Sequence, residues 1–204
     1  PKRSAVKVFI SHQSADSIVA GQIALRLQRV HGIDCYLDVI DPYLMGRGED
    51  LAAHIRMEMG RCTQLLAVIS YNTSDSQWVP WEIGMATEKD YPLATYSSAS
   101  LPPPEFLRRW PYLRTEADLD RYASASKLAR TFLVSKRSYL TEGDARRDST
   151  REFYRTLRGS LGQGPAGTDA PCARRPSRRS CCHERGRDHP QARQRRRQAS
   201  RDRA

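Results

Sequence analysis

The sequence predicts an α/β fold, and three observations carry that prediction. Short runs of β-branched and other apolar residues recur at 6–10 (VKVFI), 33–38 (IDCYLD) and 64–70 (QLLAVIS). Segments whose apolar residues repeat at helical spacing lie between them. No stretch approaches the roughly 20 uninterrupted apolar residues of a membrane helix. Strands alternating with helices of about ten to fifteen residues imply right-handed β-α-β units and a mainly parallel sheet covered on both faces.

Taken in order, the first run is a strand, and Asp16 is positioned to cap a helix whose Val19, Ile23, Leu27 and Val30 share one stripe until His31 and Gly32 end it. The run at 33–38 alternates Ile33, Cys35 and Leu37 with polar neighbours and makes the second strand. Leu51, Ile55 and Met59 then fall on one helical face, closed by Gly60. The third strand, 64–70, is followed by a polar loop and a helix from about Trp78 to Lys89. YPLATYS at 91–97 is a fourth strand. LPPPEFLRRWPYL at 101–113 is too rich in proline for a long element and reads as a loop with one helical turn, followed by a short edge strand at Tyr112 and Leu113. Residues 116–135 have a helical pattern, and STREFYRTLRGSLGQ at 149–163 is a further helical segment.

Charge divides the chain. Of the formal net charge of +11, residues 165–204 hold +8, from 12 Arg, no Lys and four acids, whereas 1–164 hold only +3. Residues 165–204 also have no Leu, Ile, Val, Phe, Trp, Tyr or Met, too little apolar surface to offset their ordering entropy. They are expected to form a disordered tail. Two readings of that tail stay open: a native basic segment, or an out-of-frame translation of a GC-rich gene, in which case the natural protein ends near 149–163. Without aromatic residues it supports at most nonspecific nucleic-acid binding. The expected organisation is a domain over 1–135, a helical extension over 136–164 and the Arg-rich tail over 165–204.

The start, PKRSAVKVFI, has no apolar signal core, and the expected location is the cytoplasm. Five cysteines without a CxxC pair do not staple a fold, so Cys35 and Cys62 read as small reduced core residues. Cys172, Cys181, Cys182 and His183 carry zinc-ligand atoms at the wrong spacing, and no metal is expected.

In an open α/β sheet the ligand site lies beyond the carboxyl ends of the strands, where the strand order reverses. The first strand runs there into Ser11, His12, Gln13 and Ser14, and the third into the loop that delivers Trp78 and Glu82; these two sets should face each other. Several chemistries fail on spacing. There is no GxGxxG, no GxxxxGK[ST] and no GxSxG, which excludes a dehydrogenase-type turn, a P-loop and a hydrolase nucleophile elbow. A phospho-acceptor receiver needs carboxylates where this chain has Ser11, His12 and Ser70.

VFISHQSAD at 8–16, HGIDCYLDVID at 31–41, a glycine-containing loop before the second helix, LLAVIS at 65–70 and QWVPWEIGMA at 77–86 stand in an order and spacing that resemble a Toll/interleukin-1 receptor (TIR) domain across about residues 5–130. The sequence looks most like bacterial TIR proteins of Thoeris antiphage defence, in which a TIR enzyme consumes NAD+ and makes an ADP-ribose-derived signal. The resemblance implies a flavodoxin-like, three-layer fold with five parallel strands. It places the catalytic glutamate at Glu82 and substrate contacts at Trp78, Ser11, His12, Gln13, Asp38 and Tyr43. A loop over 39–49, with Asp41, Gly46, Arg47 and Gly48, would gate the site and mediate TIR–TIR self-association. The implied partners are NAD+, as substrate rather than cofactor, a second copy of the chain, and an effector that senses the nucleotide product; no membrane is implied. Some animal members present arginines in the first loop, where this chain has Gln13 and Ser14, and Arg47 could substitute on charge.

Structural alternatives stand beside these roles. Glu82 reads equally as a first-turn residue satisfying amide donors and the helix dipole, with Pro80 at an early helical position. Trp78 could be core, His12 an ordinary hydrogen-bonded loop histidine, and Asp38 and Asp41 loop and cap residues. At the level of function the competitors are a noncatalytic TIR adaptor, disfavoured by Glu82, and a nucleoside deoxyribosyltransferase-like enzyme, disfavoured by the WxxxE spacing and the 39–49 loop.

Overall fold

In a computed structural model of the chain, which describes residues 6–37, 48–71, 73, 76–97, 105–138 and 140–164, strand β1 spans Lys7–Ser11, β2 Asp34–Leu37, β3 Gln64–Val68, β4 Leu93–Tyr96 and β5 Tyr112–Leu113. Helices α1 (Ser17–His31), α2 (Gly48–Gly60), α3 (Trp78–Glu88), α4 (Glu116–Lys136) and α5 (Glu142–Leu161) cover the sheet. Every strand pair is parallel and the order is β2-β1-β3-β4-β5, so the expected α/β three-layer architecture is what forms. All five residues of β3 are buried, which is why its sequence is continuously apolar after Gln64, as expected of a strand covered on both faces.

Side-chain alternation along the strands makes two cores. Val8 and Ile10 of β1 and Leu66 and Val68 of β3 pack with Ile23 and Leu27 of α1, Leu119 and Tyr122 of α4, and Phe153 and Leu157 of α5. Phe9, Leu65 and Ala67 face the other way, against Leu51, Ile55 and Met59 of α2 and Val79 and Ile83 of α3. Each such side chain contributes about 1.5–3 kcal/mol on full burial. The expected face of α2 is therefore the buried one.

Two local expectations are corrected. In α1 the buried stripe is Ala20, Ile23 and Leu27, while Val30 is 60% exposed. A small alanine one turn before Ile23 lets the helix approach the sheet, and by Val30 the stripe has turned toward solvent. Asp16 occupies the N-cap position of α1 without making a side-chain cap bond, because its carboxylate is engaged elsewhere, as described below. The other end is as expected: Gly32 adopts φ +62°, and its N–H reaches the Gln28 carbonyl.

α4 begins in a capping box, with the Thr115 hydroxyl accepting from the Asp118 N–H and the Asp118 carboxylate accepting from the Thr115 N–H. α5 starts seven residues before the helical segment expected at 149–163, because Thr141 accepts from the Asp144 N–H and caps a first turn that is otherwise polar. The completely buried Phe153 meets Tyr122 edge to face, with centroids 5.8 Å apart. At the far end of α5, the Gln163 amide clips both backbone groups of Tyr112, accepting from its N–H at 3.2 Å and donating to its carbonyl at 2.6 Å. That clip gives the two-residue edge strand β5 a second partner beside β4.

On the outer surface, Arg26 of α1 forks onto Asp120 of α4 at 3.0 and 2.8 Å, and His31 reaches the same carboxylate at 2.7 Å. Those hydrogen bonds, Arg26 first and then His31, hold the Asp120 carboxyl down at about 2. Among the described residues no helix is long and apolar enough to cross a membrane. Expectations for the tail at 165–204 lie outside the described residues, including Cys172, Cys181, Cys182 and His183.

Candidate functional site

The order β2-β1-β3-β4-β5 reverses between β1 and β3, which opens a crevice at their carboxyl ends. Ser11 is the last residue of β1 and pairs in register with Ala67 of β3. Because side chains alternate, Ser11 shares a face with Phe9, the face covered by α2 and α3. α3 approaches that face with Val79, Glu82, Ile83 and Ala86 as its buried stripe. The helical spacing that sends Val79 and Ile83 into the core thus carries a carboxylate inward with them.

Glu82 is 1% exposed and Ser11 is fully buried. The Ser11 hydroxyl donates to Glu82 Oε2, across 71 positions of sequence. Burying a carboxylate in a protein interior is costly unless donors meet it, so an acid here needs a reason beyond packing. The alternative reading of Glu82 as a first-turn residue does not hold. α3 has no acid in its first turn, Pro80 stands at its third position and Glu82 at its fifth, with the side chain turned to β1 rather than back to the helix N-terminus.

A second tie crosses the crevice. The Ser70 hydroxyl, just beyond β3, donates to Asp16 Oδ2 at 2.7 Å, and Thr73 Oγ1 accepts from the Ser70 N–H at 2.9 Å. This pair joins the turn after β1 to the loop after β3, and it is where the Asp16 carboxylate goes in place of capping α1. Sequence reading missed it as a pair; residues 54 positions apart with ordinary loop chemistry carry no local signal.

The other candidate residues fall as follows. Half-buried His12 has Nδ1 3.2 Å from the Ile10 carbonyl, a local contact within its own strand end. Gln13 is half-buried as well, and its carbonyl accepts from the Asp16 N–H at 2.7 Å. Trp78 lies one turn before Glu82, partly buried, and meets Trp81 edge to face with centroids 5.5 Å apart. The Arg56 guanidinium lies over the Trp81 ring at 5.6 Å, tying α2 to α3 beside the site. Gly48 opens α2. Asp38, Asp41, Tyr43, Gly46 and Arg47 lie outside the described residues. The elements flanking that loop are joined by Tyr36 Oη and His54 Nε2, 3.0 Å apart.

Thiolate chemistry is not on offer among the described residues. Burial pushes the Cys35 thiol up to about 12 and the Cys62 thiol up to about 11, which leaves both protonated near neutrality. No group of three or more His, Cys, Asp or Glu among the described residues could hold a metal ion. What the crevice offers among the described residues is two buried carboxylates, Glu82 held by the Ser11 hydroxyl and Asp16 by the Ser70 hydroxyl, with the Trp78 indole one turn from Glu82.

No curated protein and no solved structure gave a significant match to the chain. A family model, that of the TIR domain, matches residues 8–127. That span takes in β1 through most of α4, the Ser11–Glu82 pair and the Asp16–Ser70 tie. With more than half of its length matched, and with the strand order and crevice described above, the chain belongs to the TIR-domain family.

Proposed function

We propose that the protein is an NAD+ glycohydrolase or ADP-ribosyl cyclase that breaks the bond between nicotinamide and ribose, with Glu82 as the catalytic carboxylate. One observation carries the reading: a glutamate 1% exposed, held by the Ser11 hydroxyl at the carboxyl ends of β1 and β3. The leaving group explains why one carboxylate suffices. Nicotinamide is bound to ribose as a charged pyridinium and departs neutral, so it needs no general acid, in contrast to the carboxyl pair of ordinary glycosidases.

As that bond lengthens, positive charge grows on the ribosyl ring. A carboxylate already fixed in place stabilises this charge without having to reorganise, the kind of electrostatic contribution that usually dominates catalysis. Ser11 orients Glu82, and the Trp78 indole offers a flat face to the substrate. The reaction consumes NAD+ and calls on no resident cofactor. In the narrower form of the proposal, the ADP-ribose-derived product is the signal of a bacterial antiphage system of the Thoeris type, read by a separate effector. Self-association through TIR–TIR contacts, with the 39–49 loop as gate, would complete the active state.

The test is nicotinamide release from NAD+ by the purified chain over a wide range of protein concentration, with mass spectrometry of the second product. Release whose specific activity rises with concentration is expected. A folded, self-associated protein that leaves NAD+ intact would overturn the proposal and leave an adaptor role in its place.

A further inference from the structure

The opposite end of the sheet carries a second feature. At the amino ends of β1 and β3, between α4 and α5, lies a cleft of about 230 Å³ whose walls include Arg61, Arg130, Arg137 and Arg146 and, among the described residues, no carboxylate. Val6 and Gln64, at the starts of two strands, form part of the same walls, so the cleft and Ser11 lie at opposite ends of β1.

Three of these arginines, Arg130, Arg137 and Arg146, are close enough for their positive charges to act on one another. Burial first, and then the positive neighbours Arg137 and Arg146, lower the Arg130 guanidinium from its ordinary value. The acids that meet the cluster act from outside the walls. Glu142 takes Arg137 at 2.8 Å and Arg146 at 3.3 Å, and Glu58 takes Arg61 at 2.6 Å. Glu142 is 66% exposed, and ion pairs that open to water are weak, so a ligand of higher charge could draw both arginines inward. The Arg146 guanidinium lies 6.0 Å from the centre of the Tyr91 ring, which borders the cleft.

We propose that this cleft is a binding site for a small organic phosphate, with Arg130, Arg137 and Arg146 taking the phosphoryl oxygens and Tyr91 and Leu133 bordering the organic part. Guanidinium forks match the geometry of phosphate oxygens, and several converging forks favour a dianion over a single carboxylate. The volume, below that of ordinary drug-sized pockets, limits the ligand to a compact ester. Cys62 also lines the cleft and, with its thiol held near 11, adds no negative charge to oppose a phosphate.

The experiment is calorimetric titration of the full chain with glycerol 3-phosphate, with glycerol as the uncharged control and inorganic phosphate as competitor. Saturable binding of glycerol 3-phosphate, displaced by inorganic phosphate and absent with glycerol, is expected. Arg130→Gln and Arg146→Gln should each weaken it about tenfold, the loss of one charge-assisted contact. Glu82→Gln, at the other end of β1, should leave it unchanged. The basic segment at 165–204 is present in every variant, so a difference between them reports the cleft. Should Arg130→Gln fold poorly by its melting curve, Arg137→Gln, on the more exposed rim, takes its place. Absence of saturable binding, or binding that survives the arginine substitutions at full strength, would overturn the proposal.

Discussion

Replacing Glu82 by Gln should move activity and stability in different directions, and the separation is what makes the substitution informative. Gln keeps the size, the helical backbone and a carbonyl oxygen that can accept from Ser11. What it removes is a negative charge in a position 1% exposed. As the stabiliser of a ribosyl cation, that charge is worth about 10² to 10³ in rate, or roughly 3–4 kcal/mol of barrier, by analogy with the loss of one preorganised group in other active sites. Stability should not follow. Neutralising a buried carboxylate removes a desolvation cost, so folding should be unchanged or improved by up to about 1 kcal/mol, which for a body of this size is about 2–4 °C in Tm. If Glu82 were only a structural anchor for β1, the weakening of a charged hydrogen bond to a neutral one would instead lower stability by about 1–1.5 kcal/mol. The assay is nicotinamide release by both proteins at equal, self-associating concentration, with thermal melts on the same samples. A folded Glu82→Gln protein releasing nicotinamide at the wild-type rate would refute the catalytic assignment.

Three further outcomes are expected. Ser11→Ala keeps the Glu82 side chain but removes the hydroxyl that orients it, so kcat should fall about tenfold with KM little changed; a raised KM with kcat unchanged would point to substrate binding instead. Phe153→Ala should cost about 3–5 kcal/mol, read by denaturant unfolding, because the ring is wholly buried against Tyr122 and Tyr154; a cost below about 1 kcal/mol would show that α5 adds little to the core. The Asp120 carboxyl, held near 2 in the fold, titrates below its unfolded value, so its contribution is present above about pH 4 and lost as pH falls through about 2. With 38% of that side chain exposed, the contribution should stay under about 1 kcal/mol. The gap in Tm between wild type and Asp120→Asn should therefore close over that window, and a gap independent of pH would contradict the linkage.

Local pattern was enough to reveal most of the architecture. The apolar runs at 6–10 and 64–70, the helical stripe of Leu51, Ile55 and Met59, and Gly32 as a left-handed stop are short-range signals, because strand and helix periodicities and positive φ are properties of a few neighbouring residues. The parallel sheet followed from their alternation, since a strand-helix-strand unit has one favoured hand. Glu82 stood out as a candidate through its spacing from Trp78 and the resemblance of the surrounding blocks.

Its meaning was not legible in the same way. Read along the chain, Glu82 is an acid close behind Pro80 near the start of a helix, and that pattern suits a residue serving the helix dipole. Only the docking of α3 on β1 turns the side chain inward, because Val79 and Ile83 have to bury against Phe9 and Leu65 and Glu82 lies on the same stripe. The same packing brings Ser11 to its carboxylate from 71 positions away and draws Asp16 off its helix to Ser70. The arginine cleft likewise gathers residues from five separate stretches of sequence. Periodicity encodes which face of an element is apolar. Which polar groups meet depends on how those faces are stacked, and that is decided only when the two cores close on the sheet.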